Sequence, residues 1–378
     1  MKLLFVANVD WYVISHRYKI LESAVNFGWQ VTVACEDTGR RSELEALGIR
    51  FIDFKFERSG TNPLKEIVLL RRFYRLYRKE KFDVLHHVSL KPVIYGSVIA
   101  KLLKKPAVLN AVSGLGYAFT KKDKKMGFTQ KSMLYLMRFG FNKKNLAFIF
   151  QNNDDYEQLS DLGVIHDYNL VYFIKGSGVD LDEYKPMSKE VEGDKVDILF
   201  PARMLYDKGI VELQGAAEML RKDYESKVLF TLAGKADPDN KAGVSEEYLN
   251  NWQDGSYVKW IGFSENMIET LRNSDIAVLP SYREGLPKSL IEAAAMGKPI
   301  VTTNAIGCKE CVDEGINGYL VDVKSETQLA DALKKLIVDA NLREKMGKAS
   351  RLKAEKEFDV KIVIKKHLEI YDELLKLG

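Results

Sequence analysis

Short apolar runs alternate with longer amphipathic stretches along both halves of the chain. In the first half, Leu3–Ala7, Val31–Cys35, Ile49–Phe54, Val84–His87, Ala107–Asn110 and Ala147–Phe150 read as buried strands. Helical spacing marks the intervening segments at about 16–27, 41–47, 63–81, 91–103 and 129–142. A second series begins near Val196, with strands at Asp197–Phe200, Val228–Ala233, Val258–Ile261, Ile276–Leu279 and Pro299–Thr302. Repeated strand–helix–strand units imply parallel, doubly wound sheets. The polar stretch from Lys175 to Lys195, which contains Gly176-Ser177-Gly178-Val179-Asp180, reads as a linker. The pattern predicts an α/β chain of two Rossmann-like domains, 1–175 and 176–357, facing a cleft. A last helix, 358–378, is expected to pack back on the first domain. Ligands of such sheets bind at the C-terminal ends of the strands.

Composition fits that reading. The chain has 378 residues, 46% hydrophobic and 29% charged, enough to bury two cores. No apolar run approaches the roughly 18–20 residues of a membrane-spanning helix, and Asp10 interrupts the apolar start before it resembles a leader. Three cysteines, Cys35, Cys308 and Cys311, make neither a disulfide framework nor a complete zinc site, which suggests a reduced, cytoplasmic setting. Charge changes the picture more. Residues 1–180 hold 28 basic and 18 acidic residues, and within 54–150 the balance is 21 to 5. The first domain should therefore meet an anionic partner.

The sharpest local signal is Pro280-Ser281-Tyr282-Arg283-Glu284-Gly285-Leu286-Pro287, between a strand and a helix that carries Glu292. A helix N-terminus suits a phosphate, Gly285 lets the loop approach a ligand, and the two carboxylates can accept from sugar hydroxyls. On spacing alone, a cap-region glutamate and a solvated helix glutamate explain the pair equally well. Arg203 and Lys208 occupy the equivalent place after Asp197–Phe200 and can grip a diphosphate, or simply face solvent. Gly234 and Gly262-Phe263 end neighbouring strands, where small residues would leave room for a flat base.

These segments resemble glycosyltransferase family 4. The resemblance rests on Glu284 and Glu292 with seven residues between them, Arg203 with Lys208, the Gly176–Asp180 linker and Glu310-Cys311-Val312. In the first half, Asp83–His87, Lys91–Gly96 and Asn110–Tyr117 are similar to bacterial enzymes that build surface glycans on a polyprenyl carrier. The resemblance implies a GT-B fold and a retaining, metal-independent transfer of a hexose or N-acetylhexosamine, with no cofactor. The donor would be a nucleotide sugar, expected to be UDP-linked, and the acceptor a polyprenyl-diphosphate-linked saccharide. By the same resemblance, Arg203 and Lys208 hold the diphosphate, Glu292 the ribose and Glu284 the sugar. Gly285, Leu286, Pro287, Gly234, Gly262 and Phe263 complete the donor side. Two departures stand out: Asn8–Arg17 lacks the family's glycine-rich loop, and Val112-Ser113-Gly114 replaces a histidine. His16 is a further catalytic candidate, and His86, His87, Ser113 and Gly114 are candidates for the acceptor side.

Leaving-group charge can be met by cations and helix-end N–H groups without a metal. No carboxylate stands out as a nucleophile, so the acceptor hydroxyl is expected to attack from the face the diphosphate leaves. In 63–81, Ile67, Leu70, Tyr74 and Tyr77 are expected to form the inner stripe, with Arg71, Arg72, Arg75, Arg78 and Lys79 opposite. Together with Lys121, Lys122, Lys124 and Lys125 they suggest peripheral contact with the anionic inner face of the plasma membrane. No nucleic-acid motif is present. A nucleotide-sugar epimerase of similar architecture, or a transferase with a soluble acceptor, is the alternative.

Overall fold

The structure, a computed structural model, describes residues 1–56, 63–105, 107–115, 127–189, 195–238, 240 and 242–377. It divides into two compact units: Met1–Ser177 with Val360–Gly378, and Gly178–Asp359.

The first unit is a seven-stranded parallel sheet in the order β3-β2-β1-β4-β5-β6-β7. Its strands are β1 (Lys2–Val9), β2 (Gln30–Glu36), β3 (Arg50–Asp53), β4 (Val84–Val88), β5 (Ala107–Val112), β6 (Leu146–Phe150) and β7 (Leu170–Phe173). Its helices are α1 (Asp10–Asn26), α2 (Arg41–Glu45), α3 (Pro63–Lys79), α4 (Ser97–Leu102), α5 (Phe128–Phe141) and α6 (Asn153–Asp161). The strands are apolar on both sides because helices cover both faces. Leu4 and Val6 join Phe73, Tyr77 and Phe148 on one face, while Leu3 and Phe5 pack with Val13 and Ile20 of α1 on the other.

The second unit is a six-stranded parallel sheet ordered β10-β9-β8-β11-β12-β13. Its strands are β8 (Val196–Pro201), β9 (Val228–Ala233), β10 (Val258–Gly262), β11 (Ile276–Leu279), β12 (Ile300–Thr303) and β13 (Gly318–Val321). Around them lie α7 (Ile210–Tyr224), α8 (Glu246–Trp252), α9 (Met267–Asn273), α10 (Lys288–Ala295), α11 (Glu326–Val338) and α12 (Ala340–Glu357). The chain then returns to the first unit, where α13 (Val360–Lys376) buries Val363, Ile370, Tyr371 and Leu374 in the same layer as Leu3 and Phe5.

Two local expectations are corrected. The helix expected from residue 16 starts at Asp10, directly after β1, so Asp10–Arg17 is helix rather than loop. A carboxylate at the first helical position favours that early start. In α3 the inner stripe is Leu69, Phe73 and Tyr77, whereas Ile67 is 46% and Tyr74 37% exposed. The four-residue steps of Leu69, Phe73 and Tyr77 define the face that meets Phe54 and Phe56. Lys121, Lys122, Lys124 and Lys125 lie outside the described residues.

Candidate active site

Strand order reverses between β1 and β4 in one sheet and between β8 and β11 in the other. At such a point the connections leave to opposite faces and open a crevice at the strands' C-terminal ends.

At the second unit's crevice the loop after β8 carries Arg203 and a 3-10 turn at Tyr206–Lys208, and the loop after β11 carries Pro280–Pro287 into α10. The loops are joined: Tyr282 N and Ser281 Oγ both donate to Asp207 O, at 2.9 and 3.1 Å. Lys208 Nζ lies 2.5 Å from Glu284 Oε1, each side chain 16% exposed. Two candidates far apart in sequence thus form a mostly buried ion pair. Arg203, 58% exposed, reaches Asp237 at 3.1 Å.

Helix α10 has no side-chain cap and no acidic residue in its first turn. Its first N–H groups and dipole are therefore available to an anion. Leu286 and Pro287 are buried beside it and Gly285 is half-buried. One turn in, Glu292 is 6% exposed, with Lys288 Nζ at 2.7 Å. Burial and then the Glu292 charge push the Tyr184 hydroxyl upward, and that hydroxyl is hydrogen-bonded to Glu292.

Gly234 and Gly307 make close approaches that a side chain would prevent. A Cβ on Gly234 would lie 1.8 Å from Ala202 O, and one on Gly307 2.4 Å from Glu284 O. The backbone of Gly307 is left-handed at φ 80°, and Glu284 N donates to the neighbouring Ile306 O at 2.9 Å. Gly307 thus seats the Glu284 loop, a role the sequence reading missed although the glycine stands just before Cys308-Lys309-Glu310-Cys311. Tyr184 was also missed, and no local pattern marks it. Gly262 ends β10, and Phe263 beyond it is 63% exposed with Lys235 Nζ 5.1 Å from its ring centroid.

At the first unit's switch point, α1 starts on a carboxylate of its own, Asp10. The buried Asp10 carboxylate accepts from Trp11 N at 2.6 Å, Thr38 N at 2.7 Å, Arg40 N at 3.0 Å and the Thr38 hydroxyl. Burial alone would raise its pKa, but these bonds outweigh it and hold the carboxyl below its usual value. His16 lies on the second turn of α1, stacked on Tyr12 at 4.5 Å with Nδ1 2.6 Å from Ser15 Oγ. Ser113 and Gly114 follow β5 and are half-buried.

His86 and His87, expected on the acceptor side, are core residues. Both are 0% exposed, because β4 is a central strand covered on both faces. His87 sits between Tyr77 Oη (2.6 Å) and Asn110 Oδ1 (2.9 Å), and burial lowers its pKa to about 4. His86 Nδ1 meets Tyr371 Oη at 2.6 Å. Among the described residues, no three His, Cys, Asp or Glu side chains gather to hold a metal ion.

Comparison with known proteins bears on this geometry. Residues 2–152 match the family described as glycosyl transferase 4-like, and 182–353 match glycosyl transferases group 1. A Campylobacter jejuni protein, N,N'-diacetylbacillosaminyl-diphospho-undecaprenol alpha-1,3-N-acetylgalactosaminyltransferase, is 29% identical over 100% of both chains. The Escherichia coli UDP-Gal:alpha-D-GlcNAc-diphosphoundecaprenol alpha-1,3-galactosyltransferase is 22% identical over 93% of this chain and 90% of its own. Among solved structures, sucrose-phosphate synthase from Thermosynechococcus elongatus superposes with a TM-score of 0.81 at 17% identity, covering 100% of both chains. Anabaena HepE, crystallised with UDP and glucose, gives 0.77 at 17% identity over 99% of this chain and 100% of its own.

Proposed function

Since this chain belongs to glycosyltransferase family 4 and has the GT-B fold, we propose that it moves a hexose or N-acetylhexosamine from a UDP-sugar to a polyprenyl-diphosphate-linked saccharide, with retention and without a metal. The observation that carries this reading is the Lys208–Glu284 pair beside the uncapped N-terminus of α10. When a donor enters, its diphosphate competes for Lys208, and the α10 N–H groups and Arg203 face the same negative charge. Glu284, released from Lys208, accepts from sugar hydroxyls, and Glu292 from the ribose. As the sugar–oxygen bond breaks, charge grows on the diphosphate and these preorganised donors gain strength. The acceptor hydroxyl attacks from the leaving-group face and passes its proton to a diphosphate oxygen.

The acceptor class is supported by the activities of the two transferases named above. A membrane-embedded carrier also fits α3, whose outer face shows Ile67, Val68 and Tyr74 among Arg71, Arg75, Arg78 and Lys79. Apolar side chains among cations suit the anionic inner leaflet of the plasma membrane. No helix among the described residues is long and apolar enough to cross a membrane. The test is a panel of nucleotide sugars with a polyprenyl-diphosphate-linked acceptor, read by mass and linkage analysis, with and without chelator. An extended, α-linked product that survives chelation supports the reading. Turnover of donor alone to an isomeric sugar nucleotide would replace it with an epimerase.

A further inference from the structure

The segments that bear Lys208 and Glu284 are joined by more than their ion pair. Tyr282, two residues before Glu284, donates its hydroxyl to Glu212 Oε1 at 2.7 Å. Glu212 lies on the first turn of α7, four residues after Lys208, and is 7% exposed. Its carboxylate stands where a helix N-terminus favours negative charge, and its other oxygen, Oε2, is buried without a hydrogen bond. A carboxylate desolvated to that degree depends on the donors it has. Lys324, in the loop after β13, has a left-handed backbone at φ 66° and sets its ammonium 5.1 Å from the Tyr282 ring centroid. The Tyr282 side chain is therefore held from two other elements. The backbone brings α7 equally close. Gly209, between Lys208 and α7, is left-handed at φ 77°, and a Cβ there would lie 2.1 Å from Pro280 O. Glycine lets α7 start against the loop after β11.

We propose that Tyr282 and Glu212 form a strut that keeps these two loops in register when the Lys208–Glu284 pair opens, which makes Tyr282 a positioning residue for the diphosphate. Without donor, the ion pair ties Lys208 to Glu284 directly. A diphosphate that takes Lys208 breaks that tie. The Tyr282–Glu212 bond joins the same two segments and needs no contact with the anion, so it survives the exchange. It keeps Lys208 and the first N–H groups of α10 aimed at one point, as electrostatic stabilisation of a leaving group requires. Only the diphosphate in this proposal rests on the glycosyltransferase reading.

The test is calorimetric titration of UDP and of inorganic pyrophosphate into the full chain, with folding checked by circular dichroism. The proteins are wild type, Tyr282→Phe, Glu212→Ala, Glu212→Gln, Lys208→Ala and the combined Tyr282→Phe, Lys208→Ala variant. Tyr282→Phe and Glu212→Ala should each weaken both ligands about fivefold, a coupling usual for neighbours in one hydrogen-bond network. Either variant carries the test if the other does not fold. Glu212→Gln should stay within about twofold of wild type, because its amide oxygen can accept the same hydroxyl. In Lys208→Ala the ion pair is absent with and without ligand, so adding Tyr282→Phe should change affinity by less than about twofold. A general loss of stability would instead act equally in both backgrounds. Wild-type affinities in Tyr282→Phe and Glu212→Ala would overturn the proposal, as would a loss that persists undiminished in the Lys208→Ala background. Both outcomes leave the transferase reading standing. A wild type that binds neither UDP nor pyrophosphate would sink that reading and the strut together.

Discussion

The two sheets share one strand order through six strands, yet their switch points are furnished in opposite ways. In the first unit α1 begins with Asp10, whose carboxylate takes the positive end of the helix and ties down Thr38 and Arg40. In the second, α10 begins after Pro287 with no cap and no acid, and Lys208 and Glu284 stand beside it. A helix N-terminus attracts an anion wherever it occurs. What differs is whether the chain supplies that anion itself. The first crevice is self-satisfied at this point, and the second is left for a ligand.

The strongest way to break the contrast is at Lys208. Lys208→Ala should lower turnover by about 10²–10³, as expected for loss of one transition-state donor, while the fold persists with a lower melting temperature because Glu284 loses its largely buried partner. Steady-state kinetics beside circular dichroism would check this, and wild-type turnover would remove the diphosphate from the second crevice. For the first unit, the proposed membrane contact is the next to test. Changing Arg71, Arg75 and Arg78 to Gln should weaken binding to anionic vesicles about 100-fold, at roughly 1 kcal/mol per cation, while nucleotide binding persists. Co-sedimentation at two salt concentrations reads this out, because surface attraction fades beyond about 8–10 Å at physiological ionic strength.

Asp10 makes a smaller, pH-dependent prediction. Its pKa is depressed in the folded state, so its stabilisation is complete above the unfolded carboxylate value of about 4 and is lost as pH falls through the lower folded value. Asp10→Asn should therefore cost about 2 kcal/mol at neutral pH, and its deficit should narrow in acid. Denaturant melts at pH 7 and pH 3 measure the difference, and an equal deficit at both would contradict the charge argument. The smallest effect is expected at Tyr77→Phe, which leaves His87 one partner short. About 1 kcal/mol of stability should be lost with kinetics unchanged. A change in acceptor KM would return His87 to the site.

Much of the second unit was readable in the sequence because its signals are local. Pro280–Glu292 combines a strand end, a glycine and a helix start within one short segment, and the loop after β8 repeats the arrangement. The first unit resisted because its key contacts are distant. Nothing near Asp10 announces Thr38 and Arg40, and an Asp after a strand reads as a loop until those donors are placed. His86 and His87 looked like strand-end ligands, since polar residues in an apolar run suggest a site. Their partners Tyr77, Asn110 and Tyr371 lie on three separate elements, and only the packing brings them together. In α3 the apolar positions outnumber one face, so spacing alone could not say that Phe73 points inward and Tyr74 outward.

On the proposed function, the second crevice and not the first receives the nucleotide. Calorimetric titration of UDP into wild type, Lys208→Ala and Asp10→Asn tests it most directly. Lys208→Ala is expected to weaken binding by at least about tenfold, a charge-assisted contact being worth about 1.5–3 kcal/mol, while Asp10→Asn stays within about twofold of wild type. Loss of UDP binding in Asp10→Asn with retention in Lys208→Ala would contradict it.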